Sequence, residues 1–170
     1  MKIKILRTLL ILVITSIYSN LNAETVFFDS KNIKIDIEDN MIYATEGIAK
    51  IPAKNIKIIG EKFVYDKLNS ELIIFDNVKY IDEEKDVIIK SQKMIYNESD
   101  NKVFSQSETF LDLENKYDIE SSNISFDRNL NIISSNEITE INDKIANKFI
   151  FEKGFIFDTF NKIISSKKYL

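Results

Sequence analysis

Ile58-Ile59-Gly60-Glu61-Lys62-Phe63-Val64-Tyr65-Asp66 is the stretch on which the fold turns, because its pattern returns along the chain. Its ending recurs as Met94-Ile95-Tyr96-Asn97, Ile124-Ser125-Phe126-Asp127 and Phe155-Ile156-Phe157-Asp158, with a fainter first copy, Ile33-Lys34-Ile35-Asp36. The closing residues 36, 66, 97, 127 and 158 lie 30, 31, 30 and 31 positions apart. A fixed period of this length means one supersecondary unit stacked on itself, each copy covering its neighbour's apolar face. Such a stack suits a continuous grooved surface better than a single enzymatic cleft.

Within each unit the apolar residues alternate, which is the period of a strand. Phe63 shares a face with Tyr65, Met94 with Tyr96, Ile124 with Phe126, and Phe155 with Phe157. Seven residues before each anchor stand Phe28, Ile58, Ile89, Ile119 and Ile150; seven after stand Ile42, Leu72, Val103, Ile133 and Ile164. These are odd steps, so a straight strand cannot hold all three on one face, and the chain must turn or bulge between them. After the anchor, clusters such as Asp66-Lys67-Leu68-Asn69-Ser70 and Asn97-Glu98-Ser99-Asp100-Asn101 read as hairpin turns. Before it, Gly60, Ser91 and Ser121 share the −5 position, where a small residue suits a bulge. Each unit is therefore expected to hold two or three short strands, with no long helix after residue 24.

Residues 1–23 form a separate object. Lys2, Lys4 and Arg7 precede an apolar run of about 11 residues, Thr8 to Tyr18, and Leu21-Asn22-Ala23 closes it. That is the layout of a signal peptide, with an uncleaved anchor as the alternative, and the run is well short of the ~20 residues of a membrane-spanning helix. It predicts export to the periplasm and one domain over residues 24–170, its last repeat incomplete. Loss of the three basic residues takes the formal net charge from −4 to −7, and no basic stripe is visible, so nucleic acid is not an expected partner. The hydrophobic fraction of 44% fits a folded chain, and without Cys its stability rests on burial alone. The excess of Ile, Lys and Asn over Arg and Ala reads as genomic bias and carries no function.

With no His and no Cys, Ser-His and Cys-His nucleophile pairs and the common zinc sites are impossible. Gly47, Gly60 and Gly154 are too scattered for a phosphate loop. The acids Asp82, Glu83 and Glu84 before Lys85 read as a solvated loop, and Asp36-Ile37-Glu38-Asp39-Asn40 as a turn. No enzymatic activity, metal or cofactor is expected. What remains is a stripe of large apolar residues at equivalent offsets: a packed core, or an interior able to hold acyl chains at ~0.8 kcal/mol per buried CH₂.

The export signal and the repeats, together with Glu46-Gly47-Ile48-Ala49 and its weaker echo Asp76-Asn77-Val78-Lys79, resemble the OstA-like domain of the lipopolysaccharide-transport proteins, over roughly residues 25–168. That domain is shared by LptA, LptC and the N-terminal part of LptD. The resemblance implies an all-β jellyroll shaped like a slightly opened V, holding the acyl chains of lipopolysaccharide. It also implies partners (other Lpt proteins or itself) joined through edge strands. The interior stripe expected to meet lipid is Ile58, Phe63, Tyr65, Leu72, Ile89, Met94, Tyr96, Ile119, Ile124 and Phe126. A free-standing LptA-like carrier and the N-terminal piece of an LptD-type protein both remain open, with an anchored LptC-like form third. The rivals are a secreted structural β-solenoid without lipid and a fragment of an outer-membrane barrel.

Overall fold

A computed structural model describes residues 26–145 and 147–167; the segment expected to be a signal peptide lies outside them. The strands are β1 (Phe27–Asp36), β2 (Met41–Ile51), β3 (Ile56–Asp66), β4 (Glu71–Asp82), β5 (Val87–Asn97), β6 (Lys102–Leu113), β7 (Tyr117–Ser122), β8 (Ser125–Asp127), β9 (Ile132–Ser135), β10 (Thr139–Asp143), β11 (Lys148–Phe151), β12 (Phe155–Asp158) and β13 (Ile163–Ser166). All the pairings are antiparallel. Among the described residues the one helical element is a 3₁₀ turn, Pro52–Lys54. The chain is all-β, as its period predicts. The strands of the first half are longer than expected: each repeat there is two bent strands of 10 to 12 residues, rather than two or three short ones.

The recurring acid or amide at the end of each unit has a local cause. Its side chain caps the turn that follows: Asp66 Oδ1 accepts from the backbone N–H of Leu68 and Asn69, Asn97 Oδ1 from Asp100, Asp127 Oδ1 from Leu130 and Asp158 Oδ1 from Asn161. The last turn residues, Asn40, Ser70, Asn101, Asn131 and Lys162, are left-handed. Successive turns then bond to each other, Lys67 N–H to Asn40 O, Glu98 to Ser70, Arg128 to Asn101 and Thr159 to Asn131. A second ladder runs along the opposite ends of the strands, from Glu83 N–H to Asn55 O, Glu114 to Asp86 and Lys144 to Lys116.

Between the two ladders the sheet is creased. The register slips between Ile59 and Lys62, between Phe75 and Val78, and between Ser91 and Lys93. Gly60 and Ser91 mark these bulges, as their −5 positions predict. A Cβ on Gly60 would stand 2.4 Å from Ile74 Cγ2. Left-handed Glu46, Asp76, Asn77 and Ser107 place the crease in β2, β4 and β6, so the Glu46-Gly47 and Asp76-Asn77 motifs are crease residues. Hydroxyls line it: Thr109 donates to Ser105 at 2.8 Å, Ser121 meets Thr139 at 2.7 Å, and Ser105 accepts from Ile124 N–H at 3.0 Å. They satisfy polar groups where the ladder is disturbed. Beyond β6 the crease becomes a break. β6 pairs with β7 at one end and β8 at the other, and the sheet divides into a first arm continuing through β8, β9, β12 and β13 and a second continuing through β7, β10 and β11.

Candidate functional site

The anchor offsets become two cross-strand rows, one on the inner face of each arm. On the first arm, neighbour pairs with neighbour from Ile35 through Ile42, Tyr65, Leu72, Tyr96, Val103, Phe126, Ile133 and Phe157 to Ile164. On the second arm the row runs from Phe28 through Ala49, Ile58, Tyr80, Ile89, Leu111, Ile119 and Ile141 to Phe149. The bulge between −7 and the anchor, and the hairpin between the anchor and +7, are how odd steps reach one interior. Val64, Ile73, Ile95 and Phe104 form the matching row on the outer face, as expected for Val64 and Ile95.

Ile58, Phe63, Leu72, Ile89, Met94, Tyr96, Ile119, Ile124 and Phe126 are all buried, and Tyr65 is half-buried. In the middle the two inner faces are packed against each other. Towards the ends burial fades: Ile33 and Ile35 on β1 are 48% and 57% exposed, and Phe149 is 43% exposed. The −7 rule fails in the last unit, where Ile150 is 62% exposed and Phe149 takes its place opposite Ile141. There the break falls at Gly154 rather than at −5, and a one-residue shift in strand register reverses the face. Phe151 turns towards Phe155 instead, with ring centroids 6.3 Å apart.

Where the tips of the arms meet, the contact is polar. The Arg128 guanidinium, on the first turn ladder, donates through Nε to Asp82 Oδ2 at 2.5 Å and through Nη2 to Asp82 Oδ1 at 3.3 Å, on the second arm. It also donates to Asn101 Oδ1 at 3.0 Å, to the Lys54 carbonyl at 3.3 Å and to Glu84 Oε2 at 3.4 Å. The Tyr80 hydroxyl donates to Asp82 Oδ2 at 3.1 Å. One rung towards the N-terminus, Lys54 crosses to the Tyr96 hydroxyl at 3.1 Å and the Glu98 carbonyl at 3.3 Å. Tyr65 donates to Glu98 Oε2 at 2.7 Å, and Glu98 Oε1 is buried without a partner. One rung towards the C-terminus, Lys162 meets Glu114.

Burial pushes the Tyr80 hydroxyl well above its usual range and the Asp82 charge adds to it; burial and the Glu98 carboxylate do the same to Tyr65. Both stay protonated donors. Burial pulls the Arg128 guanidinium down, but its bonds to Asp82 more than restore it, so it remains a cation.

The sequence reading missed this seam. Asp82, placed with Glu83 and Glu84 in a solvated loop, is only 1% exposed, whereas Glu83 and Glu84 are on the surface. Its alternation with Val78 and Tyr80 on the inner face of β4 was the available signal. For Arg128 the signal was rarity. It is the single arginine after residue 7 in a chain rich in lysine, and an arginine kept where lysine is the default marks a bidentate partner.

A creased antiparallel sheet of stacked hairpins, with an apolar interior between two arms, is the β-jellyroll of LptA-like proteins. The crystal structure of LptH from Pseudomonas aeruginosa, the LptA-homologous periplasmic component of its lipopolysaccharide transport device, is similar over 86% of this chain and 84% of that one, with a TM-score of 0.52 and 10% identity. No protein-family model matches the chain, and no curated protein matches it in sequence. The likeness is therefore one of fold.

Proposed function

We propose that this protein carries lipopolysaccharide across the periplasm, holding the acyl chains of lipid A between its two arms. The observation that carries the reading is the pair of apolar rows, which run the full length of the sheet and, among the described residues, lose their cover at Ile35 on β1 and Phe149 on β11. An ordinary core is sealed by its terminal strands. Here Ile33 and Ile35 face inward on an edge strand and, among the described residues, are left 48% and 57% exposed. Edge strands β1 and β13, each paired on one side among the described residues, offer backbone groups for another jellyroll to extend. A free-standing carrier and the N-terminal part of an LptD-type protein use the same geometry; the reading frame downstream of Leu170 separates them.

Photo-crosslinking residues at Phe63, Met94 and Ile124 test the reading in living cells. All three should label lipopolysaccharide, while one at the exposed turn residue Lys67 should not. Absence of adducts from all three in a folded protein rejects it. The tight packing of the mid-section favours a second reading, a secreted structural β-solenoid with no ligand, and that same outcome would support it.

A further inference from the structure

Arg128 and Asp82 sit on different arms, 46 residues apart, and both are nearly inaccessible to solvent. The three rungs, Lys54 with Tyr96 and Glu98, Arg128 with Asp82, and Lys162 with Glu114, lie along one line where the two turn ladders face each other. They close the interior from the side. We propose that this line is a latch: the resting jellyroll is shut along it, and lipid enters when the rungs part. The inference rests on the interior being an acyl-chain site.

Two features favour a latch over a plain structural contact. The first is its chemistry. An apolar closure exposes hydrocarbon to water when it opens, at a cost proportional to area. A buried ion pair regains hydration on separation, which offsets most of the attraction lost, so it holds geometry while adding little to the difference between closed and open. The second is its place. From β1 to β6 the arms are tied by continuous strands. Beyond β6 they are joined only through short breaks, 123–124, 136–138 and 152–154, two of which contain left-handed Asn123 and Gly154. Arg128 and Lys162 belong to this divided part. They reach back to Asp82 at the end of β4 and Glu114 just past β6, so side chains tie the divided part of the first arm to the ends of the continuous strands.

The chain has no cysteine, so Glu83→Cys with Leu130→Cys, at exposed positions on either side of the seam, places two labels cleanly. With nitroxide labels, the free protein should show one short, narrow distance. It should lengthen when purified lipopolysaccharide is added, and also in the lipid-free Asp82→Asn variant. With the same two cysteines bridged by a reducible crosslinker, lipopolysaccharide uptake should be roughly tenfold slower or abolished, and reduction should restore it. The Asp82→Leu/Arg128→Met double variant removes both charges, so it is expected to fold; with a dry seam it should take up lipid more slowly than wild type. Uptake unchanged by the bridge overturns the latch while leaving the carrier reading intact. Failure to bind in both bridged and free forms overturns the carrier reading, and the latch with it. A seam distance unaltered by both lipid and Asp82→Asn also overturns the latch.

Discussion

The two halves of this chain use one repeat differently. From β1 to β6 the strands run through unbroken, and from β3 to β6 the crease is absorbed as register slips beside Gly60, at Asp76-Asn77 and beside Ser91, so both arms share a backbone. From β7 to β13 the same crease interrupts the strand, and segments of three to six residues are dealt to separate arms. A bulge keeps most ladder bonds and transmits force along the strand, whereas a break makes a joint. The first half is a hinge plate; in the second the first arm is joined to that plate through the side chains of Arg128 and Lys162.

The comparison is tested hardest at the buried pair. Arg128→Met leaves Asp82 buried and unpaired, which should cost about 3–5 kcal/mol in urea unfolding. Amide exchange should quicken most in β8, β9, β12 and β13; a uniform rise across β1–β6 would erase the distinction between the halves. Gly154→Ala comes next. Gly154 has φ of +84°, and an added Cβ would lie 2.4 Å from the Ser135 carbonyl oxygen. The expected loss is about 1–3 kcal/mol, concentrated around β11 and β12.

Lys162→Ala removes a partly exposed rung and should change stability by less than about 1 kcal/mol, yet it should widen the seam distance at the C-terminal end. The smallest effect is one the halves should share. Asp66 and Asp158 are held below the usual carboxylate range, Asp66 first by the Asn69 side chain and Asp158 first by the Asn161 backbone N–H. A depressed folded pKa stabilises above the unfolded value of ~3.9 and is lost as pH falls through the folded one. Acid titration followed by exchange should therefore loosen both turns below pH ~4, and Asn69→Ala should shift the loosening of the first turn to higher pH. A difference between the halves here would mean that their turns are not equivalent.

Much of this was legible in the residues. Alternation around Phe63, Met94 and Ile124 identified strands and their inner face. Asp66, Asn97 and Asp127 identified turns, and Gly60 and Ser91 identified the bulges that let Ile58 and Tyr65 reach one interior. Ile150 was misplaced because the last crease falls at Gly154, and no local pattern announces a shift of the break from −5 to −3. Asp82 was misread because an acid in a run of acids looks solvated whatever its neighbours across the fold.

The sequence by itself determined the repeat, the strands, the turns and, β11 apart, the face that the strands bury, because these follow from short-range stereochemistry: side-chain alternation, Asx capping and the tolerance of small residues for a bulge. The tertiary structure alone decided that Asp82 and Arg128 meet, that the arms are shut along the seam, and that among the described residues the first row ends exposed at Ile35 on β1. No multiple of a 31-residue period relates position 82 to 128. Their contact depends on how far a creased sheet closes on itself, which is the sum of every crease and break along it.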